Sequence, residues 1–146
     1  MSGGSQIDAA TMIAALKLSP HPEGGWYRET WRAPAPTEGG RAAASAILFL
    51  LEAGGRSHWH RVDAGELWIF QAGAPLSLSL AEAGGAREDV VLGADPRAGQ
   101  APQHLVPAGA WQSAQASAQA WTLVACVVSP AFEFQGFDLA PPGWSP

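Results

Sequence analysis

The segment Gly55-Arg-Ser-His58-Trp-His60-Arg-Val-Asp-Ala-Gly-Glu66-Leu-Trp68 holds the side chains of this sequence best suited to chemistry. In an extended segment alternate side chains share a face, so His58 and His60 point the same way. A turn over the five residues between His60 and Glu66 brings the carboxylate onto a neighbouring strand. Two imidazoles and a carboxylate meeting at one point are a ligand set that divalent transition metals favour. The same three groups can move protons without a metal, a histidine held by Glu66 acting as general base. Histidines spaced i, i+2 also serve plain hydrogen bonding in a core or at a surface. The spacing alone leaves all three readings open.

Strands must carry these groups, and the sequence supplies them after one helix. Residues 6–18 read as that helix: Ala9, Met12, Ile13 and Leu16 form an apolar stripe, Ser5 with Asp8 caps the start, and Pro20 ends it. Residues 1–5 are expected to be a flexible tail. Beyond Pro20 the period changes to two. Gly25–Trp31 reads as a strand, and Ser45–Leu51 as a strand covered on both faces, inside a sandwich or at a subunit interface. Ser57–Arg61 and Glu66–Gln71 read as a pair, and Leu76–Leu80 alternates with serines as a half-buried strand. Val90–Leu92, His104–Val106, Trp111–Ala114 and Trp121–Val128 complete the set, with Ser113–Ala120 as a polar hairpin. This spacing predicts an all-β antiparallel sandwich or barrel. With Glu66 pointing inward, Trp68 and Phe70 share its face, as an apolar pocket wall or as plain core.

Composition narrows the function classes. The chain has 146 residues, the length of one domain, with 47% hydrophobic and 14% charged residues, which argues against disorder. Seventeen glycines and twelve prolines suit many short strands joined by turns. The formal charge of −5 and the lack of a Lys/Arg cluster give no footprint for nucleic acid or an anionic membrane. The one cysteine, Cys126, sits in an apolar run and reads as a buried, inert thiol. The N-terminus has no signal-peptide pattern and no run is long enough to span a bilayer, so the expected location is cytoplasmic.

Several segments together resemble one family. They are His21-Pro-Glu-Gly-Gly-Trp-Tyr-Arg-Glu-Thr30, His60 to Trp68, Ala72-Gly-Ala-Pro-Leu76, Val106-Pro-Ala-Gly-Ala-Trp-Gln112 and Ser129 to Ala140. In this order, over nearly the whole chain, they resemble the small single-domain cupins catalogued as of unknown function. The resemblance implies a jelly roll over residues 1–146, usually a homodimer, with a small-molecule pocket inside the barrel.

Carried over by position, it implies metal ligands at His58, His60, Glu66 and Gln112, for a divalent ion such as Zn, Ni, Fe or Mn. Gln112 stands where the family's second motif usually has histidine, and the gap before Glu66 is one residue longer than usual. An amide oxygen is a poor ligand beside imidazole, so weak or partial occupancy is expected. Cupin-fold sugar epimerases suggest an alternative without metal, in which His60 is the base, Glu66 its partner and Tyr27, the only tyrosine, the acid. A non-catalytic module that binds a metabolite is the third possibility. In each, Trp68, Phe70, Gln112 and Arg28 are candidate ligand contacts, Arg28 pairing with an anionic group or with Glu29 or Glu133.

Overall fold

The architecture follows from the change of period at Pro20. In the computed structural model, which describes residues 7–146, one helix precedes eleven short strands among the described residues. The helix α1 is Ala9–Leu16. The strands are β1 Ser19–Pro20, β2 Trp26–Arg32, β3 Ser45–Leu51, β4 Arg56–Val62, β5 Gly65–Gly73 and β6 Leu76–Ala81, then β7 Glu88–Leu92, β8 Gln103–Val106, β9 Trp111–Ala116, β10 Thr122–Ser129 and β11 Phe137–Leu139. They form two antiparallel sheets, ordered β1-β2-β3-β10-β5-β8 and β11-β4-β9-β6-β7. Face to face, these sheets make the expected all-β jelly roll.

The residues read as a tail, together with Ser5, lie outside the described residues. Asp8 itself caps α1, accepting a hydrogen bond from the Thr11 backbone N–H at 2.8 Å. Most strands extend the sequence expectation by a residue or two; β9 runs on to Ala116 before its turn. Ser19–Pro20 and Phe137–Leu139 had no periodic signal because two or three residues are too few to show one.

The doubly apolar β3 has its cause in the layers on either side. Phe49 and Leu51 face the sandwich interior with Trp68, Leu76, Leu78 and Val124. Leu48 and Leu50 face outward into a second cluster, where Met12, Ile13 and Leu16 of α1, with Trp26 and Leu123, cover them. The helix therefore accounts for the second apolar face.

One departure matters for the site. The strands carrying His60 and Glu66 are not neighbours: β4 belongs to the five-stranded sheet and β5 to the six-stranded one. Only Asp63 and Ala64 separate them, so the chain crosses from one sheet to the other in a single step. Arg41 clasps Asp63 with two hydrogen bonds of 2.8 and 3.1 Å, and the Asp63 N–H donates to the Gly136 carbonyl. This crossing sets the end of β4 opposite the start of β5 across the barrel.

Leu50 is fully buried between β3 and α1. Leu50→Ala is expected to cost about 2–5 kcal/mol through lost burial and the cavity left behind. Ala14→Ser, on the exposed side of α1, should stay within about 0.5 kcal/mol. Urea unfolding of the two variants checks the contrast.

Candidate functional site

A β-bulge decides which histidine enters the barrel. On β4 and β9, Ser57 pairs with Ala114 and His60 with Gln112, so three steps along β4 match two along β9. The extra residue reverses the alternation. Ser57 and His60 both face inward and are buried, whereas His58 turns outward, its Nε2 lying 2.9 Å from the Pro141 carbonyl oxygen. The expectation that His58 and His60 share a face is corrected by this single residue. His58 lines a shallow outer depression with Trp59 and Trp144.

What meets His60 is Glu23. The His21–Gly25 turn is closed by two backbone hydrogen bonds, His21 N–H to Gly25 carbonyl (2.9 Å) and Gly24 N–H to His21 carbonyl (3.0 Å). Gly24 and Gly25 have φ of 104° and 83°, a region side chains rarely adopt. A Cβ on Gly24 would also run into the Arg56 carbonyl oxygen, and one on Gly25 into the Phe49 ring. The paired glycines let the turn lie against β4, where the His58 N–H donates to the Glu23 carbonyl at 2.8 Å. The Glu23 side chain then points into the barrel. Its Oε1 accepts from the Ser57 hydroxyl at 3.0 Å, and its Oε2 lies 3.1 Å from His60 Nε2.

The proton on this pair can be placed. His60 Nδ1 sits 2.7 Å from the His58 carbonyl oxygen, which can only accept, so Nδ1 carries a hydrogen. Burial disfavours the imidazolium and pushes His60 below its ordinary range; burial also raises Glu23 to about 8. Both directions put the proton of this pair on Glu23, whose Oε2 lies 3.1 Å from the unprotonated Nε2. His21, beside this pair, accepts the Glu23 N–H on Nδ1 at 3.2 Å. Burial, with His60 nearby, lowers His21 to about 4. Its ring packs edge-on to Tyr27 at a centroid distance of 4.5 Å.

Glu66 enters from the opposite sheet and is raised to about 7, chiefly by burial. Its Oε1 accepts from the Gln112 amide nitrogen at 2.9 Å, and the Gln112 amide oxygen accepts from the Trp68 indole N–H at 2.7 Å. The indole can only donate, which fixes the orientation of the amide and commits both its ends. Gln112 is thus a bridge between Trp68 and Glu66. The Cys126 thiol lies against Glu66 and is pushed well up by burial, which suits an inert group.

These groups open onto a cavity of about 640 Å³, within the range typical of small-molecule sites. Glu23, His60, Glu66, His21 and Tyr27 line it, with Ile47, Phe49 and Phe134 as apolar wall; Arg28 is exposed at its mouth. Trp68 and Phe70 share the inward face of β5 with Glu66 but pack in the core beyond the cavity lining. Sequence reasoning overlooked Glu23, His21 and Ser57. The acidic residue directly before two glycines was the available signal for Glu23; Ser57 had none, because its orientation depends on the bulge.

The donors present do not fit the metal centre that the resemblance implied. His58 points away, and the Gln112 amide accepts from the Trp68 indole and donates to Glu66. Among the described residues no three His, Cys, Asp or Glu side chains converge to hold an ion. After chelation, added zinc or manganese is expected to leave the melting temperature unchanged.

The buried groups also set a pH dependence. A raised carboxyl adds stability in full below its ordinary 4.5, and Glu66 and Glu23 lose that contribution as pH rises through about 7 and about 8. A depressed imidazole works the other way: His21 adds stability in full above 6.5 and loses it as pH falls through about 4. Melting temperature is therefore expected to be highest between about pH 4.5 and 6.5 and to fall towards pH 8. Glu23→Gln should flatten that alkaline fall. A melting temperature that keeps rising from neutrality to pH 8.5 contradicts the protonated acids.

Comparison with known proteins gives this geometry a family. No curated protein matches the sequence. The family described as Cupin superfamily (DUF985) matches residues 10–140. A crystal structure of a Shewanella oneidensis protein is 38% identical, covers 92% of this chain and 85% of its own, and superposes with a TM-score of 0.87. A hypothetical protein from Leishmania major is 32% identical over 92% of this chain and 88% of its own, with a TM-score of 0.82. Oxalate decarboxylase of Bacillus subtilis, an enzyme with Mn(II) centres, is 14% identical over 82% of this chain and 29% of its own, TM-score 0.62, and shares the fold alone. With a family match over all but the two ends, the chain belongs to the DUF985 family of the cupin superfamily.

Proposed function

We propose that this cupin is an enzyme that moves protons on a small molecule bound in the barrel, using His60, Glu23 and Glu66 without a metal. The carrying observation is the buried contact of 3.1 Å between His60 Nε2 and Glu23 Oε2. It holds an acid and a base in hydrogen-bond reach at the floor of an open cavity. Groups whose protonation changes near neutrality are the ones suited to acid–base catalysis.

The reaction class that suits the pair is enolisation of a carbonyl compound. Glu23 gives its proton to the carbonyl oxygen as His60 Nε2 takes one from the adjacent carbon. The C–H bond breaks, its electron pair forms the enol double bond, and the carbonyl becomes a hydroxyl. Glu23 ends as carboxylate and His60 as imidazolium, so the floor keeps its net charge. That conservation matters where water is excluded and a new isolated charge is costly. Reprotonation at the other carbon or the other face gives isomerisation or epimerisation. Glu66, held as an acid by burial and oriented by Gln112, and Tyr27 across the cavity are the available donors for that step.

Solvent deuterium incorporation into a panel of hydroxycarbonyl compounds and keto-sugars, followed by NMR, tests this reading. One member is expected to exchange, with His60→Ala and Glu23→Gln slowing it about 10²- to 10⁴-fold. Exchange that survives both substitutions assigns the chemistry elsewhere. Tight binding of a panel member with no exchange in the native protein makes the barrel a binding module instead.

A further inference from the structure

The mouth of the cavity carries charge that its floor does not explain. Lys17, Arg28 and Arg32 reach it, as do the carboxylates of Glu29 and Glu133. Arg32 is spent locally: it makes two hydrogen bonds to Glu29, at 2.8 and 3.1 Å, and a third to the Phe132 carbonyl at 2.9 Å. Glu133 accepts from Gln135 at 2.7 Å and lies in the field of Arg32 and Arg41. The side chains of Lys17 and Arg28, by contrast, form no ion pair or hydrogen bond among the described residues, and residues 1–6 contain no carboxylate side chain that could pair with them.

The fold brings these two cations together. Ser19 pairs with Tyr27 in the short β1–β2 ladder. Lys17 lies two residues before Ser19 and Arg28 directly follows Tyr27, so in this antiparallel ladder both lie just beyond that rung, on the same side of it. In a chain of formal charge −5, two unpaired cations at the opening of this cavity reverse the local sign. Such an opening draws anions toward it.

We propose that Lys17 and Arg28 bind the anionic group of an organic molecule whose body lies along Tyr27, Phe49 and Phe134 and whose other end reaches His60. The assignment rests on the reading of this cavity as the substrate site and adds the class: a small carboxylate or phosphate ester with an apolar or cyclic body. A volume of about 640 Å³ accommodates a molecule of that kind. The guanidinium of Arg28 can grip carboxylate or phosphate through two N–H groups, and Lys17 adds a point charge. Burial raises both floor carboxyls, Glu23 and Glu66, and so limits the negative charge opposite the incoming anion.

Titration calorimetry with three probes of similar body tests this: phenyl phosphate, benzoate and neutral benzyl alcohol. At least one anion is expected to bind more tightly than benzyl alcohol and to weaken as salt is raised. Lys17→Gln and Arg28→Gln should each weaken that anion about three- to five-fold, in line with single exposed charge pairs. Arg97→Gln, which removes the same charge from an exposed residue outside the cavity lining, should leave it unchanged. Preference for phenyl phosphate over benzoate identifies a phosphate ester as the natural anion, and the reverse a carboxylate. Equal binding of benzyl alcohol, no binding of either anion, or equal losses in all three variants overturns the proposal. Binding is read without turnover, so failure here is separate from failure of the proton-transfer reading, which is decided by deuterium exchange in His60→Ala and Glu23→Gln.

Discussion

The buried contact of 3.1 Å between Glu23 Oε2 and His60 Nε2 is the constraint on which the site depends. Neither group is tolerated alone at this depth: an ionised carboxylate without a partner, or an imidazole nitrogen without one, costs more than most buried contacts return. Sharing one proton keeps both neutral. The turn that delivers Glu23, the bulge that turns His60 inward and the Ser57 hydroxyl all serve this contact. Each lies on a different part of the chain, which is why the site needs the whole sandwich to exist.

Glu66 faces this pair from the other sheet under different control. Its orientation is relayed from the core: Trp68 needs an acceptor for its buried indole N–H, Gln112 provides it, and the amide's other end holds the carboxyl. The position where related cupins usually carry a second-motif histidine is therefore occupied by a residue with a satisfied structural job. A ring at that position could join a ligand set, but this amide spends both ends within the protein. The barrel keeps the family's shape.

The layer outside the barrel has its own logic. Helix α1 covers the outer face of β3, and its C-terminal end leads into the short β1 that leaves Lys17 at the cavity mouth. Burial on one side of the sheet and charge at its rim come from the same short stretch of chain. The segment after β10 also lines the cavity: Phe132, Phe134 and Phe137 pack edge-on against one another, and β11 pairs with β4. Aromatic contacts thus define the apolar wall, and backbone pairing holds it there.

The sequence alone determined the class of fold, one helix followed by alternating strands, because period and turn residues are local properties that read directly as strand, face and boundary. It also carried the family, through motifs spread over the chain, and singled out His60, Glu66 and Tyr27 as groups worth testing. Tertiary structure decided which groups meet. One extra residue in β4 turned His58 outward, and no count of alternation anticipates a bulge fixed by pairing with β9. The two-residue crossing put His60 and Glu66 on opposite sheets, and a turn 37 residues upstream supplied Glu23 as the partner of His60. Proton placement followed last, since it depends on burial and on which lone pairs remain free, and both exist only once the barrel has closed.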